Sequence, residues 1–153
     1  MSAKPLTVQF STDSQYPLLF TEDVFAPDNP TLHDALAIPA GAASPPRIRV
    51  FVDAGLAAAQ TGLTDRILRY GRARLPAMAS ESPAILPGGE EIKNDIQHVE
   101  RVITDLAERR FCRHSYVVAV GGGAFLDAVG FAAALLHRGV RLVRIPSTKL
   151  SQE

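Results

Sequence analysis

Tyr116-Val117-Val118-Ala119-Val120 places five apolar residues in a row, and three glycines follow directly. An unbroken apolar run of strand length suits a strand covered on both faces, which is the condition of a parallel sheet. Gly121-Gly122-Gly123 ends the run, and Ala124 to Leu136 continues as a helix that is apolar on almost every side. A helix of that kind needs cover on both faces. Val140 to Ile145 is the next strand, closed by Pro146. Strand, glycine turn, helix and strand make a βαβ unit, so the chain is predicted to fold as an α/β protein around a Rossmann-like parallel sheet with flanking helices.

The sequence before this unit repeats the alternation. Arg47 to Val52 is a β-branched strand that runs into a turn at Asp53-Ala54-Gly55, and Thr64 can cap a helix carrying Ile67, Leu68 and Leu75. Pro83 to Leu86 is a short extended segment stopped by Pro87-Gly88-Gly89. Ile92, Ile96, Val99, Ile103 and Leu106 then recur at spacings of 4, 3, 4 and 3. That spacing predicts one long striped helix, opened by Gly89-Glu90-Glu91-Ile92-Lys93, with His98 beside the stripe as a surface histidine. Residues 46–153 thus read as one α/β domain, and residues 1–45 as an amino-terminal hairpin and loop extension. There Leu6 to Phe10 alternates like a strand, Leu18-Leu19-Phe20 can pair with it, and Asn29-Pro30 starts a short helix through Leu36. Ser147 to Glu153 forms no recognisable terminus, and the chain reads as a front half.

Composition narrows the function. A chain of 153 residues with 46% hydrophobic content can bury one real core. Sixteen basic residues balance sixteen acidic ones, seven of each falling by residue 75. That balance leaves no electrostatic footprint for nucleic acid or an anionic membrane. The single cysteine, Cys112, excludes a disulfide framework and fits a reducing, cytoplasmic setting. No apolar run approaches the ~18–20 residues of a membrane span. The four histidines have no metal-ligand spacing, so no metal site is expected to close within this chain.

The chemistry concentrates at the carboxyl ends of the strands, where α/β sheets hold their ligands. Three glycines leave no side chain in the way of a ligand, and the N–H groups opening the next helix suit an anion such as a pyrophosphate. A tight βα turn is the competing explanation, though one glycine would suffice for it. Leu126 stands where a dinucleotide fingerprint has its third glycine, and no Walker lysine is present. The turn therefore indicates phosphate or dinucleotide and names no reaction. Asp127 is the lone carboxylate in its helix and is expected to face a polar ligand. Arg138, held at a turn before Gly139, suits a phosphate or carboxylate, whereas Arg141 and Arg144 read as a solvated strand edge. Glu90 and Glu91 complement a helix start.

Read together, three segments resemble the 3-dehydroquinate synthase family of sugar-phosphate cyclases. They are Gly89-Glu90-Glu91-Ile92-Lys93; Gly121 to Asp127, running on to His137-Arg138-Gly139; and Ile145-Pro146-Ser147-Thr148-Lys149-Leu150. Phe-Cys-Arg-His-Ser-Tyr and His-Arg-Gly-Val-Arg are most similar to a divergent bacterial subgroup. The resemblance runs from about Arg47 to the end. It implies the amino-terminal half of a two-domain fold whose helical metal-binding domain is not in this chain. It implies NAD as cofactor, with Asp53 on the adenosine ribose and Glu90 and Lys93 beside the cofactor. Gly122, Gly123 and Ala124 would form the pyrophosphate turn, with Asp127 near the nicotinamide. Ser147, Thr148 and Leu150 would form a loop over the cofactor, and Arg138 would bind substrate phosphate across a homodimer interface.

The reaction so implied is a carbon–oxygen lyase sequence on a phosphorylated heptulosonate or related sugar phosphate. A hydroxyl is transiently oxidised, phosphate is eliminated, the hydride returns and an intramolecular aldol closes the ring. A divalent metal, zinc or cobalt, would polarise the reacting oxygen from ligands beyond Glu153, so this chain alone is expected to be inactive. Ser147 stands where the family usually has Thr, and Lys149 where an aliphatic residue is usual. Two alternatives remain at this stage. One is the iron-dependent alcohol and glycerol dehydrogenase group, which shares the glycine turn and Asp but usually has Lys where Gly130 stands. The other is a non-catalytic nucleotide-binding remnant.

Overall fold

A computed structural model describes residues 8–9, 11, 15–38, 45–93, 95–136 and 139–147, with the side chains of Glu91 and Lys93 outside the description. Four strands form one wholly parallel sheet in the order β2-β1-β3-β4. They are β1 (Ile48–Asp53), β2 (Ala84–Leu86), β3 (Tyr116–Gly121) and β4 (Arg141–Pro146). The helices are α1 (Thr31–Ala35), α2 (Ala54–Ala59), α3 (Leu63–Arg74), α4 (Ile96–Glu108) and α5 (Gly123–Leu135), with a 3-10 turn at Glu90–Lys93. The parallel α/β architecture expected from the sequence is the one observed. Among the described residues, no helix is long and apolar enough to cross a membrane.

Every residue of β3 is buried, as its unbroken apolar run requires. Alternate side chains of β1 and β3 feed two cores, one on each face of the sheet. Phe51, Val117 and Ala119 pack with Val99, Val102 and Leu106 of α4 and with Phe125 and Val129 of α5. Ile48, Val50, Val52, Val118 and Val120 pack on the other face with Ile67 and Tyr70 of α3, and with Phe25, Leu32 and Leu36 from the amino-terminal segment. Fully burying one such Val, Ile or Phe stabilises the fold by about 1.5–3 kcal/mol.

Residues 21–36 are tied to α3 by polar contacts as well. Arg74 donates to the carbonyls of Pro27 and Asp28 at 2.7 Å each, and the His33 N–H donates to the buried Tyr70 hydroxyl at 3.1 Å. The short helix predicted after Asn29-Pro30 forms, with Asn29 Oδ1 accepting from the Thr31 N–H at 2.9 Å. Leu18 to Phe20 is exposed and makes no strand among the described residues. Leu6, Thr7 and Phe10, its expected partners, lie outside them.

Three local expectations are corrected. The 4-3-4-3 stripe is not one helix, because Asp95 is extended (φ −124°, ψ 105°) and caps α4 by accepting from the Gln97 N–H. Ile92 stays in the separate 3-10 turn, Ile96 is exposed, and Val102 joins Val99 and Leu106 in the core instead. That rotation brings His98 onto the shoulder of the buried face, with its side chain only 15% exposed. His98 is therefore not a surface histidine. Finally, α3 starts at Leu63 behind left-handed Gly62 (φ 83°), which leaves Thr64 inside the first turn and not at its cap.

Candidate functional site at the carboxyl edge of the sheet

The order of the strands locates a crevice. From β1 the chain passes to β2 on one side, and β3 then lies on the other side of β1. The winding direction reverses between β1 and β3, and ligands of open α/β sheets bind outside the carboxyl ends at such a reversal. Asp53 ends β1 there, and Gly121-Gly122-Gly123 ends β3 beside it.

Asp53 does not sit in a plain turn. Its Oδ1 accepts from the N–H groups of Gly55 (2.8 Å) and Leu56 (3.3 Å), capping α2 directly behind the strand. Two glycines crowd the same carboxylate. A methyl group on Gly88 would lie 1.9 Å from Asp53 Oδ2, and one on Gly121 would lie 2.9 Å from the Asp53 Cβ. The segment after β2 and the end of β3 thus close on Asp53 from both sides. Pro87-Gly88-Gly89, a strand stop by its sequence, is thus also a second glycine cluster at a strand end, packed on Asp53.

Gly122 is the N-cap of α5, with φ −78° and ψ 168° and no side chain to contribute. Asp53 and Asp95 cap α2 and α4 with their carboxylates, so α5 differs from both in having a cap residue without an acceptor of its own. An amino end of this kind presents N–H groups and positive dipole to an anion. The Ser147 N–H donates to the Gly121 carbonyl at 2.9 Å, which brings the residue after β4 to the same edge. Glu90 is exposed in the 3-10 turn, which packs against α5. Asp127, one turn into α5, is exposed, with Oδ1 3.7 Å from Arg144 Nη1.

The structure therefore brings Asp53, Gly122, Gly123, Ala124 and Ser147 to one edge, with Glu90 and Asp127 on elements flanking it. Arg138, Thr148, Leu150 and the Lys93 side chain lie outside the described residues. Among those residues, no group of three or more His, Cys, Asp or Glu is arranged to hold a metal ion.

The opposite edge holds an ion network that the sequence did not disclose. Arg49 is buried within β1, and its Nε donates to both carboxylate oxygens of Asp105 on α4 (3.1 and 2.9 Å). Arg49 Nη1 donates to the Ser82 carbonyl at 2.7 Å. Arg109 bridges Asp105 and Glu81 at 2.7 Å each. Its hydrogen bond holds the Glu81 carboxyl below the usual carboxylate range, and Glu81 in turn raises Arg109.

Comparison with known proteins agrees with this geometry. Residues 83–153 match the 3-dehydroquinate synthase N-terminal family. A 3-dehydroquinate synthase of Shewanella frigidimarina is 45% identical over 78 residues, which is 51% of this chain and 22% of that protein. One from Shewanella sp. (strain MR-4) is 48% identical over 71 residues, 46% of this chain and 20% of that protein. The matched stretch thus spans about a fifth of these curated relatives. Among solved structures, ValA, the 2-epi-5-epi-valiolone synthase of Streptomyces hygroscopicus subsp. jinggangensis 5008 with NAD+ and Zn2+ bound, superposes with a TM-score of 0.68. It is 26% identical and covers 94% of this chain and 35% of its own. A 2-deoxy-scyllo-inosose synthase complexed with carbaglucose-6-phosphate, NAD+ and Co2+ gives a TM-score of 0.50 at 28% identity, over 70% of this chain and 27% of its own.

Proposed function

We propose that this chain, whose residues 83–153 match the 3-dehydroquinate synthase N-terminal family, supplies the NAD-binding part of a cytoplasmic sugar-phosphate cyclase. One observation carries the reading. A glycine-ended strand and a helix without a side-chain cap stand beside an acid at the reversal point of a parallel sheet. ValA, which has this fold, was solved with NAD+ and Zn2+.

In this reading the N–H groups opening α5, from Gly123 and Ala124, receive the cofactor diphosphate, and Gly122 leaves room for it. Asp53 keeps one oxygen on α2 and turns the carboxylate toward a ribose. Glu90 and Lys93 on the 3-10 turn, and Asp127 on α5, border the cofactor, and Ser147, Thr148 and Leu150 cover it. When bound, NAD would supply reversible acceptance of hydride from the carbon bearing a substrate hydroxyl, and the ketone so formed acidifies the neighbouring C–H before phosphate leaves. The divalent metal, zinc or cobalt, would be held by residues outside this chain.

Arg138 is proposed to bind the substrate phosphate from across a homodimer interface. Phe131 and Leu135 on α5 are exposed apolar residues that such an assembly would cover. In a full-length enzyme, Arg138→Ala should raise KM for the phosphorylated substrate and lower kcat while NAD affinity holds. Unchanged kcat/KM would remove Arg138 from the site.

The reading as a whole is tested at Gly122. Its φ of −78° accommodates any L residue, so Gly122→Val strains no backbone. Calorimetry should register loss of NAD binding in a variant that unfolds at the parent temperature. Equal NAD affinity in the folded variant would sink the assignment.

A further inference from the structure

Arg144 is exposed on the edge strand β4, as its sequence suggests, but its guanidinium is not free of the neighbouring helix. Its side chain lies across α5. A methyl group on Gly130 would come within 2.8 Å of Arg144 Nη2 and 3.6 Å of its Cζ. The guanidinium thus rests in the notch that the missing Gly130 side chain leaves on the helix. From there Nη1 reaches to 3.7 Å from Asp127 Oδ1, one turn nearer the glycine turn. Half of each side chain stays open to solvent, at 53% for Arg144 and 62% for Asp127.

A carboxylate one helical turn behind a diphosphate site repels the ligand it borders, because like charges at such distances interact unfavourably unless a countercharge intervenes. Within a Debye length, about 8 Å at physiological salt, that repulsion is only partly screened. Arg144 is the described cation paired with Asp127. Gly130 gives the guanidinium its seat, since a methyl there would stand 2.8 Å from Arg144 Nη2 and 3.1 Å from Leu142 Cδ2 and would push the guanidinium tip aside. We propose, resting on the NAD reading above, that Arg144 is a positioning residue. Seated in the Gly130 notch, it neutralises and orients Asp127 so that this carboxylate borders an anionic dinucleotide without repelling it.

Two measurements on the same chain test this. In nitrogen-15 NMR, the Arg144 guanidinium should give separate, slowly exchanging Nη signals that merge in Asp127→Asn and in Gly130→Ala. By calorimetry, Arg144→Gln and Gly130→Ala should bind NAD several-fold more weakly than the parent, and Arg144→Lys should recover much of the loss. The deficit should vanish near 1 M salt, where the Debye length falls to about 3 Å. A purely structural role predicts no such salt dependence. Equal affinities, or a deficit indifferent to salt, would overturn the proposal. A parent chain that binds no NAD at any salt would count against the cofactor reading, and the NMR arm then decides the pairing. Separate signals that merge in the two variants uphold it, and averaged signals in the parent refute it.

Discussion

At the scale of single residues, the carboxyl edge is shaped by absent side chains. Gly121 faces the ring of Phe125, whose Cδ1 would stand 2.7 Å from an added methyl, and on its other side the Asp53 Cβ. Phe125 has no exposed surface, so it cannot swing away without opening the core. Gly121→Ala should therefore destabilise the fold by about 1–3 kcal/mol, the usual cost of overpacking. It should also loosen Asp53 from α2. Urea unfolding would register the first effect, and amide exchange at Gly55 and Leu56 the second. A variant as stable as the parent would mean that the close approach of β1 to β3 is not required. Glycine count and spacing revealed that something must come close at this edge. They could not reveal that a Phe ring and a carboxylate are two of the neighbours, because those contacts join residues far apart in the chain.

Among the elements, the strands were the most legible and the helix starts the least. β3 falls within one residue of the apolar run that announced it, because burial on both faces leaves a continuous signal, and β4, a partly exposed edge strand, falls within one residue of its own run. The boundary at Asp95 was hidden by a stripe that keeps helical spacing across a break. A cap needs one extended residue and an acceptor, and periodicity carries no record of either. The tie from α4 to the segment before β2 was equally hidden, since Glu81, Arg109 and Asp105 meet only after folding. It makes a pH-dependent prediction. The Arg109 hydrogen bond depresses the Glu81 carboxyl in the folded state. Its contribution is then fully present above the unfolded value of about 4.3 and fades as pH falls through the lower folded value. Glu81→Gln should lower the urea midpoint at pH 7, and the gap to the parent should narrow toward pH 3. Glu81 is about half exposed, so the effect should be small. A gap of equal size at both pH values would contradict the linkage.

Taken as a whole, the molecule is a three-layer α/β unit with two unlike edges. At the amino ends of the strands, Arg49, Asp105, Arg109 and Glu81 pair with one another beside an open cavity that Pro45, Ala77, Ser80 and Phe111 also line. At the carboxyl ends, glycines, a helix without a side-chain cap and Asp53 surround the crevice where the sheet reverses direction. Of the residues proposed around NAD, Asp53, Gly122, Gly123, Ala124 and Ser147 meet at this edge, though they come from three different strand ends. The central claim is that the carboxyl edge takes the dinucleotide. Following backbone amide shifts during an NAD titration of this chain tests it most directly. The account predicts that the largest changes fall on Gly88, Gly89, Gly121 to Phe125 and Ser147, with Arg49, Asp105 and Arg109 unmoved. Shifts confined to the arginine edge, or none up to saturating NAD, would contradict it.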